Sequence, residues 1–328
     1  MQQATQAARR AVGLDEHLVA SLTSMALVSA ERGETTDAAR SIDQALAIDP
    51  LNADVHYAAG MVATKTGDIG SAIDALRKAV ELDGERSAYL DDLGSAYLRS
   101  GQLDAAEGAF TRSVELAGDN VYSRRNLAVI YQMHGRYDEA LTHLQKALEI
   151  RPSATLYGNL GTLLFFQGLY QAAADAYEKA LEFEGAAQQA PMWANLGDAY
   201  RFVPGSDAQA REAFEHAIRL IGRRLDDAPG DDDTRTRLAT YLAKVDRCDD
   251  ALREIAAAVP EANEPGQMRL LYRQVLVEEL CRQRDAALRS VSALLDAGYS
   301  AAALETDPEL RTLRADRRFQ AILTSAIE

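Results

Sequence analysis

Apolar residues recur every three or four positions along most of this chain, the spacing of one helix face, and the runs are cut at regular intervals. In residues 87–118, Leu90, Leu93, Gly94 and Tyr97 keep the spacing, Gly101 breaks it, and Leu103, Ala106, Phe110 and Val114 resume it. Gly101 stands where a left-handed helix cap belongs, and the small pair Gly94 and Ala106 lets two helix backbones approach. The pattern predicts an antiparallel helical hairpin.

The hairpin repeats. Gly33, Gly67, Gly101 and Gly135 are 34 residues apart and Gly168 follows at 33. Ala38, Ala72, Ala106, Ala140 and Ala173 form one row on this beat, and Ala45, Ala79, Ser113, Ala147 and Ala180 form another. Pro50, Gly84, Gly118, Pro152 or Gly185 closes each second helix. One such hairpin cannot bury its apolar faces alone, so the hairpins must stack. The fold class expected is all-α, a right-handed α-solenoid of stacked antiparallel hairpins.

A small residue preceded by Leu and followed three later by Tyr, then Gly, then Ala, an apolar residue, Ala and Pro, resembles the tetratricopeptide repeat. The resemblance is strongest in GNLGTLLFFQGLYQAAADAYEKALEFEG and RRNLAVIYQMHGRYDEALTHLQKALEIRP. Six regular repeats are expected over 19–225, an acidic break at 226–233, two degenerate repeats over 234–299 and capping helices over 300–328. In the degenerate pair Asp246 stands at the turn glycine, and Val275 and Arg282 depart from the pattern. Leu304, Leu310, Leu313, Phe319 and Ile322 are expected to cover the last hairpin. Residues 1–18 read as the second helix of a truncated repeat, because Ala4, Ala8, Ala11 and Glu16 precede Ala38, Ile42, Ala45 and Pro50 by 34. That reading makes Met1 an addition and the chain the C-terminal piece of a longer polypeptide.

Composition narrows the function. The net charge of -15 argues against nucleic acid and against an anionic membrane surface, and points to a protein or peptide partner that is neutral or basic overall. No run approaches the roughly 20 apolar residues of a spanning helix, so a soluble, cytoplasmic chain is expected. Cys248 and Cys281, the only cysteines, fall within helical patterns as small packing residues. His17, His56, His134, His143 and His216 occupy unrelated repeat positions, the glycines sit at caps, and Asp231, Asp232 and Asp233 lack calcium-loop spacing. No catalytic residue, metal or cofactor is expected.

Resemblance to the tetratricopeptide fold implies that first helices line a concave groove, with the residue before each Leu pointing into it. Those residues are Asp92, Asn126, Asn159 and Asn195. A primary amide donates and accepts at once, so a row of Asn can hold an extended backbone. The row resembles the asparagine ladder of the O-GlcNAc transferase repeat domain, with Asp92 departing from it; solvated groove Asn is the other reading. Lys65, Arg99, Tyr122, Arg125, Gln132, Met133, Phe165, Phe166 and Phe202 complete the expected groove, aromatic in its middle and basic at one flank. Such a surface suits a peptide with a hydrophobic anchor and an acidic group. Packing of Phe165 or Phe166 on the next repeat is the alternative. Arg125 with Asn126 is a fragment of the two-carboxylate clamp of chaperone-binding tetratricopeptide domains, and the rest of that constellation is missing. The region from Leu196 to the end resembles the C-terminal repeats of bacterial signalling proteins with a Ser/Thr kinase, cyclase or winged-helix domain, which implies a scaffolding or sensory tail. End-to-end self-association through the unfinished first hairpin is a third reading.

Overall fold

The computed structural model describes residues 19–258 and 264–325, which form nineteen α-helices and two short 3-10 turns. The expectation for residues 1–18 lies outside the described residues. Two compact units divide at Pro152 and Ser153.

In the first unit the helices are α1 (Val19–Glu31), α2 (Thr35–Ile48), α3 (Ala53–Thr66), α4 (Ile69–Leu82), α5 (Ser87–Arg99), α6 (Leu103–Leu116), α7 (Val121–Met133) and α8 (Tyr137–Ile150). They pack as four consecutive hairpins. The second unit continues with α9 (Ala154–Phe166), α10 (Tyr170–Leu181), α11 (Ala190–Arg201), α12 (Asp207–Asp227), α13 (Asp232–Lys244), α14 (Cys248–Ala257), α15 (Glu264–Leu280) and α16 (Arg284–Asp296). These form four more hairpins, followed by α17 (Ala301–Thr306), a 3-10 turn at Pro308–Leu310, α18 (Arg311–Arg314) and α19 (Arg317–Ser325).

The turn inside each hairpin is what the repeating glycine provides. Gly101 has φ +77°, a region costly for residues with a Cβ, and Gln102 N–H donates back to Tyr97 C=O at 2.9 Å. The degenerate repeats keep this turn without glycine. Asp246 (φ +63°) and Arg282 (φ +60°) take the left-handed conformation, with Arg247 N–H on Leu242 C=O at 2.9 Å and Gln283 N–H on Glu278 C=O at 2.7 Å. Arg282, which departs from the sequence pattern, therefore occupies the turn position itself.

Small residues set the helix spacing. Ala38, Ala45, Ala72, Ala79, Ala106, Ala140, Ala147, Ala173 and Ala180 are all fully buried. Gly94 also makes room for an aromatic: a Cβ there would meet the Phe110 ring at 2.9 Å. Gly161 against Tyr177 (2.7 Å) and Gly197 against Phe214 (2.9 Å) repeat the arrangement.

Two features of the second unit correct or refine the sequence reading. Cys248 and Cys281 are joined in a disulfide with Cα atoms 5.4 Å apart, tying the start of α14 to the residue after α15. The pair stands 33 positions apart, close to one repeat length, and joins adjacent hairpins, Cys248 just after one left-handed turn residue (Asp246) and Cys281 just before the next (Arg282). The acidic stretch 226–233 is mostly helix ends: α12 runs through Asp227, and Asp231 caps α13 by accepting from Thr234 N–H at 3.0 Å. At the C-terminal end Leu304, Leu310, Leu313 and Phe319 are fully buried with Val275, Val291 and Leu294, and Ile322 packs against them partly buried.

Candidate functional site

Residues seven apart on an α-helix lie two turns apart on nearly one face. The residue before each packed Leu therefore shares a stripe with the last residue of its helix or the cap. In the first unit this pairs Asp92 with Arg99 on α5 and Asn126 with Met133 on α7. In the second it pairs Asn159 with Phe166 on α9 and Asn195 with Phe202 on α11. Leu93, Leu127 and Leu196, each one position on and about 100° around its helix, are buried and fix an adjacent face inward.

In the first unit most of the expected site residues are engaged internally. Asp92 is half-buried and accepts from the Tyr57 hydroxyl at 2.6 Å. Burial holds its carboxyl above the ordinary value, while burial and the Asp92 hydrogen bond raise the Tyr57 phenol. Asn126 is 7% exposed; its Oδ1 accepts from Arg125 at 3.4 Å, and its buried Nδ2 has no partner among the described residues. Tyr122 is exposed, shares a hydrogen bond with the Ser95 hydroxyl at 2.6 Å and lies under the Arg125 guanidinium at 5.0 Å. Lys65 pairs with Glu31 at 3.0 Å. Arg99 is exposed, Gln132 half-exposed, and Met133 exposes 60% of its surface.

Among the described residues the second unit leaves its two stripe amides without partners. Asn159 is half-buried and Asn195 exposed, and neither amide has a hydrogen-bond partner among the described residues. Beside them is an aromatic ledge: Phe202 stacks on Tyr170 at 4.6 Å, Phe165 meets Phe202 at 5.6 Å edge-on, and Phe166 meets Phe165 at 6.1 Å. Phe166 is 55% and Leu169 52% exposed. Phe165 and Phe202 thus pack on each other and on Tyr170, whereas Phe166 projects.

A charged cluster that the sequence reading missed follows the ledge. Lys244 lies seven residues after Arg237, which precedes the packed Leu238, so it holds the register of Phe202 one hairpin on. Its ammonium, on a side chain only 5% exposed, donates to Asp198 and to Glu309 at 3.1 Å. Arg201 donates to both oxygens of Glu309 at 3.0 and 2.8 Å. Burial alone would push the Glu309 carboxyl up, but Lys244 and Arg201 outweigh it and bring it down to about 2. Burial disfavours the Lys244 charge, yet Asp198 and Glu309 outweigh it and hold the ammonium above its ordinary value. Burial keeps Asp198 above the usual carboxylate range.

Next to this cluster a cavity of about 470 Å³ opens, lined by Arg201 and Phe202, by residues of the turn from α15 to α16, and by Glu309 and Arg311. Among the described residues no three His, Cys, Asp or Glu side chains converge as metal ligands, and no helix is long and apolar enough to cross a membrane. The chemistry on offer is hydrogen bonding, apolar contact and ion pairing.

Tetratricopeptide repeat sequence models match residues 24–87, 85–153 and 119–183. A search of the curated proteins returns no match. Among solved structures, the Cut9–Hcn1 hetero-tetramer of the APC/C is similar, with TM-score 0.60 at 17% identity over 85% of this chain and 51% of that one. A tetratricopeptide repeat protein from Parabacteroides merdae gives TM-score 0.56 at 15% identity, covering 84% of this chain and 99% of that one. These likenesses agree with the hairpins, turns and small-residue rows in showing an all-α tetratricopeptide solenoid, and over residues 24–183 the chain carries tetratricopeptide repeats.

Proposed function

We propose that this chain holds a peptide or an extended segment of a partner protein, and that the principal contacts come from the first-helix stripe of the second unit. The observation that carries this reading is the pair Asn159 and Asn195, whose amides have no partner among the described residues, beside the projecting Phe166. Neither amide has a structural task, and a primary amide serves a peptide N–H and C=O together. Phe166 and Leu169 supply the apolar contact that an extended peptide needs for affinity beyond its backbone bonds. The first unit supports the reading less directly, since Asp92 and Asn126 already make internal bonds.

Selection of a random-peptide library on the purified chain, followed by fluorescence anisotropy on the peptides taken, tests this. With each amide making one or two hydrogen bonds worth about 0.5 to 1.5 kcal/mol each, Asn159→Ala with Asn195→Ala should weaken every such peptide by about tenfold or more, whatever its side chains. Unchanged affinity in that double variant, with helicity intact, assigns recognition to another surface.

A further inference from the structure

We infer that the cavity between Phe202 and the C-terminal cap is a binding site for a carboxylate side chain of a peptide, placed next to the apolar residue that the aromatic ledge takes. This rests on the peptide-holding reading above and names the ligand chemistry of one end of it.

The cavity collects cations in a chain whose net charge is -15. Arg201 is neutralised by Glu309 and Arg284 by Glu279, at 2.8 and 2.6 Å. Arg282 and Arg311 also line it, are exposed, and have no ion-pair partner among the described residues. They come from different elements, the left-handed turn residue and the start of α18, and are brought to one cavity by the fold. Two guanidinium groups lining one cavity suit a carboxylate, whose two oxygens can accept from both.

Two features favour a carboxylate on a peptide over a free phosphate. The carboxyls of Glu279 and Glu309 also line the cavity, so a dianion meets more repulsion there than a monoanion does. Glu279 is 8% exposed; its Oε1 accepts from Arg284 and from Thr312 at 2.7 Å, while Oε2 has no donor among the described residues. A peptide brings several N–H donors as well as acid, whereas inorganic phosphate as the dianion brings a single O–H. The ledge supplies the other half. Phe202 lines the cavity and stacks on Tyr170 within the cluster from which Phe166 projects, so acidic and apolar contacts are adjacent. The chain's own negative field opposes an acidic partner as a whole. The ligand is therefore a short motif of Asp or Glu beside an aromatic or aliphatic residue, within a partner that is neutral or basic overall.

Peptides selected from a random library supply the probe, with Arg282→Asn and Arg311→Gln combined as the variant; Asn retains tolerance of the left-handed turn. The selected sequences should pair an acid with an apolar anchor. The double variant should weaken them by about tenfold and flatten their dependence on NaCl. The same peptides with Asp→Asn or Glu→Gln should bind wild type and variant alike. Peptides that require Asn159 and Asn195 but ignore both arginines overturn this inference and leave the peptide-holding reading standing. Failure to select any peptide overturns both. Inorganic phosphate displacing the peptide from wild type but not from the double variant assigns the cavity to phosphate and also overturns the inference.

Discussion

Arg201 and Glu309, 108 residues apart in sequence, form a two-pronged ion pair at 3.0 and 2.8 Å, with the Lys244 ammonium on the same carboxylate. The C-terminal cap is thus held by charge as well as by the apolar packing of Leu304, Leu310 and Phe319. Because Lys244 is nearly inaccessible, removing Glu309 leaves it only Asp198. Glu309→Ala is predicted to cost about 3 kcal/mol of stability, the range for breaking a buried pair from one side. Urea unfolding measures it, and a loss below about 0.5 kcal/mol contradicts the description of that pair.

The same carboxyl gives a pH signature. Its value falls from 4.5 to about 2 in the fold, so its contribution is complete above pH 4.5 and fades as pH drops toward 2. Asp198, raised by burial, shifts in the opposite sense, which makes the difference between wild type and Glu309→Gln the proper readout. That difference in unfolding free energy should shrink between about pH 5 and about pH 2. A difference that stays constant across that window contradicts the assignment.

The Cys248–Cys281 disulfide closes a loop of one repeat. Loop-closure entropy for such a length corresponds to about 3 to 4 kcal/mol. Dithiothreitol should therefore lower the Tm of wild type and leave the Cys248→Ser, Cys281→Ser double variant unmoved. Two titratable thiols in the unreduced, denatured protein would contradict the pairing.

Gly197 is predicted to be intolerant of a single methyl. A Cβ there would meet the Phe214 ring at 2.9 Å, and that ring is fully buried between neighbouring helices. Gly197→Ala should cost about 1 to 3 kcal/mol, as overpacking does, despite the better helix propensity of Ala. Gly108, which has nothing within 4 Å of its would-be Cβ, is the control and should gain stability on the same change.

The legible part of the fold was whatever the repeat period carries. The glycine turns, the alanine rows and the stripe positions from Asp92 to Asn195 follow from spacing, because each hairpin solves the same packing problem. Asp246 and Arg282 mark where that signal thins. The left-handed turn persists there while its sequence marker is gone, since the hydrogen bonds of the turn are backbone bonds. The disulfide was not open to that arithmetic, since its cysteines, 33 positions apart, stand at different places relative to their turns at Asp246 and Arg282, and helical placement alone reads each as packing. Lys244 could have been found by carrying the stripe register past Leu238. Its partner Glu309 could not, because the cap obeys no repeat and its contact with Arg201 is set by tertiary structure.

Amide hydrogen exchange, with and without a selected peptide, tests the central claim most directly. New protection should concentrate on α9 and α11, residues 154–166 and 190–201, and at a peptide concentration near the wild-type Kd Asn159→Ala with Asn195→Ala should reduce it several-fold. Protection confined to α10 and α12, or unaltered in the double variant, would contradict a peptide held on the first-helix stripe.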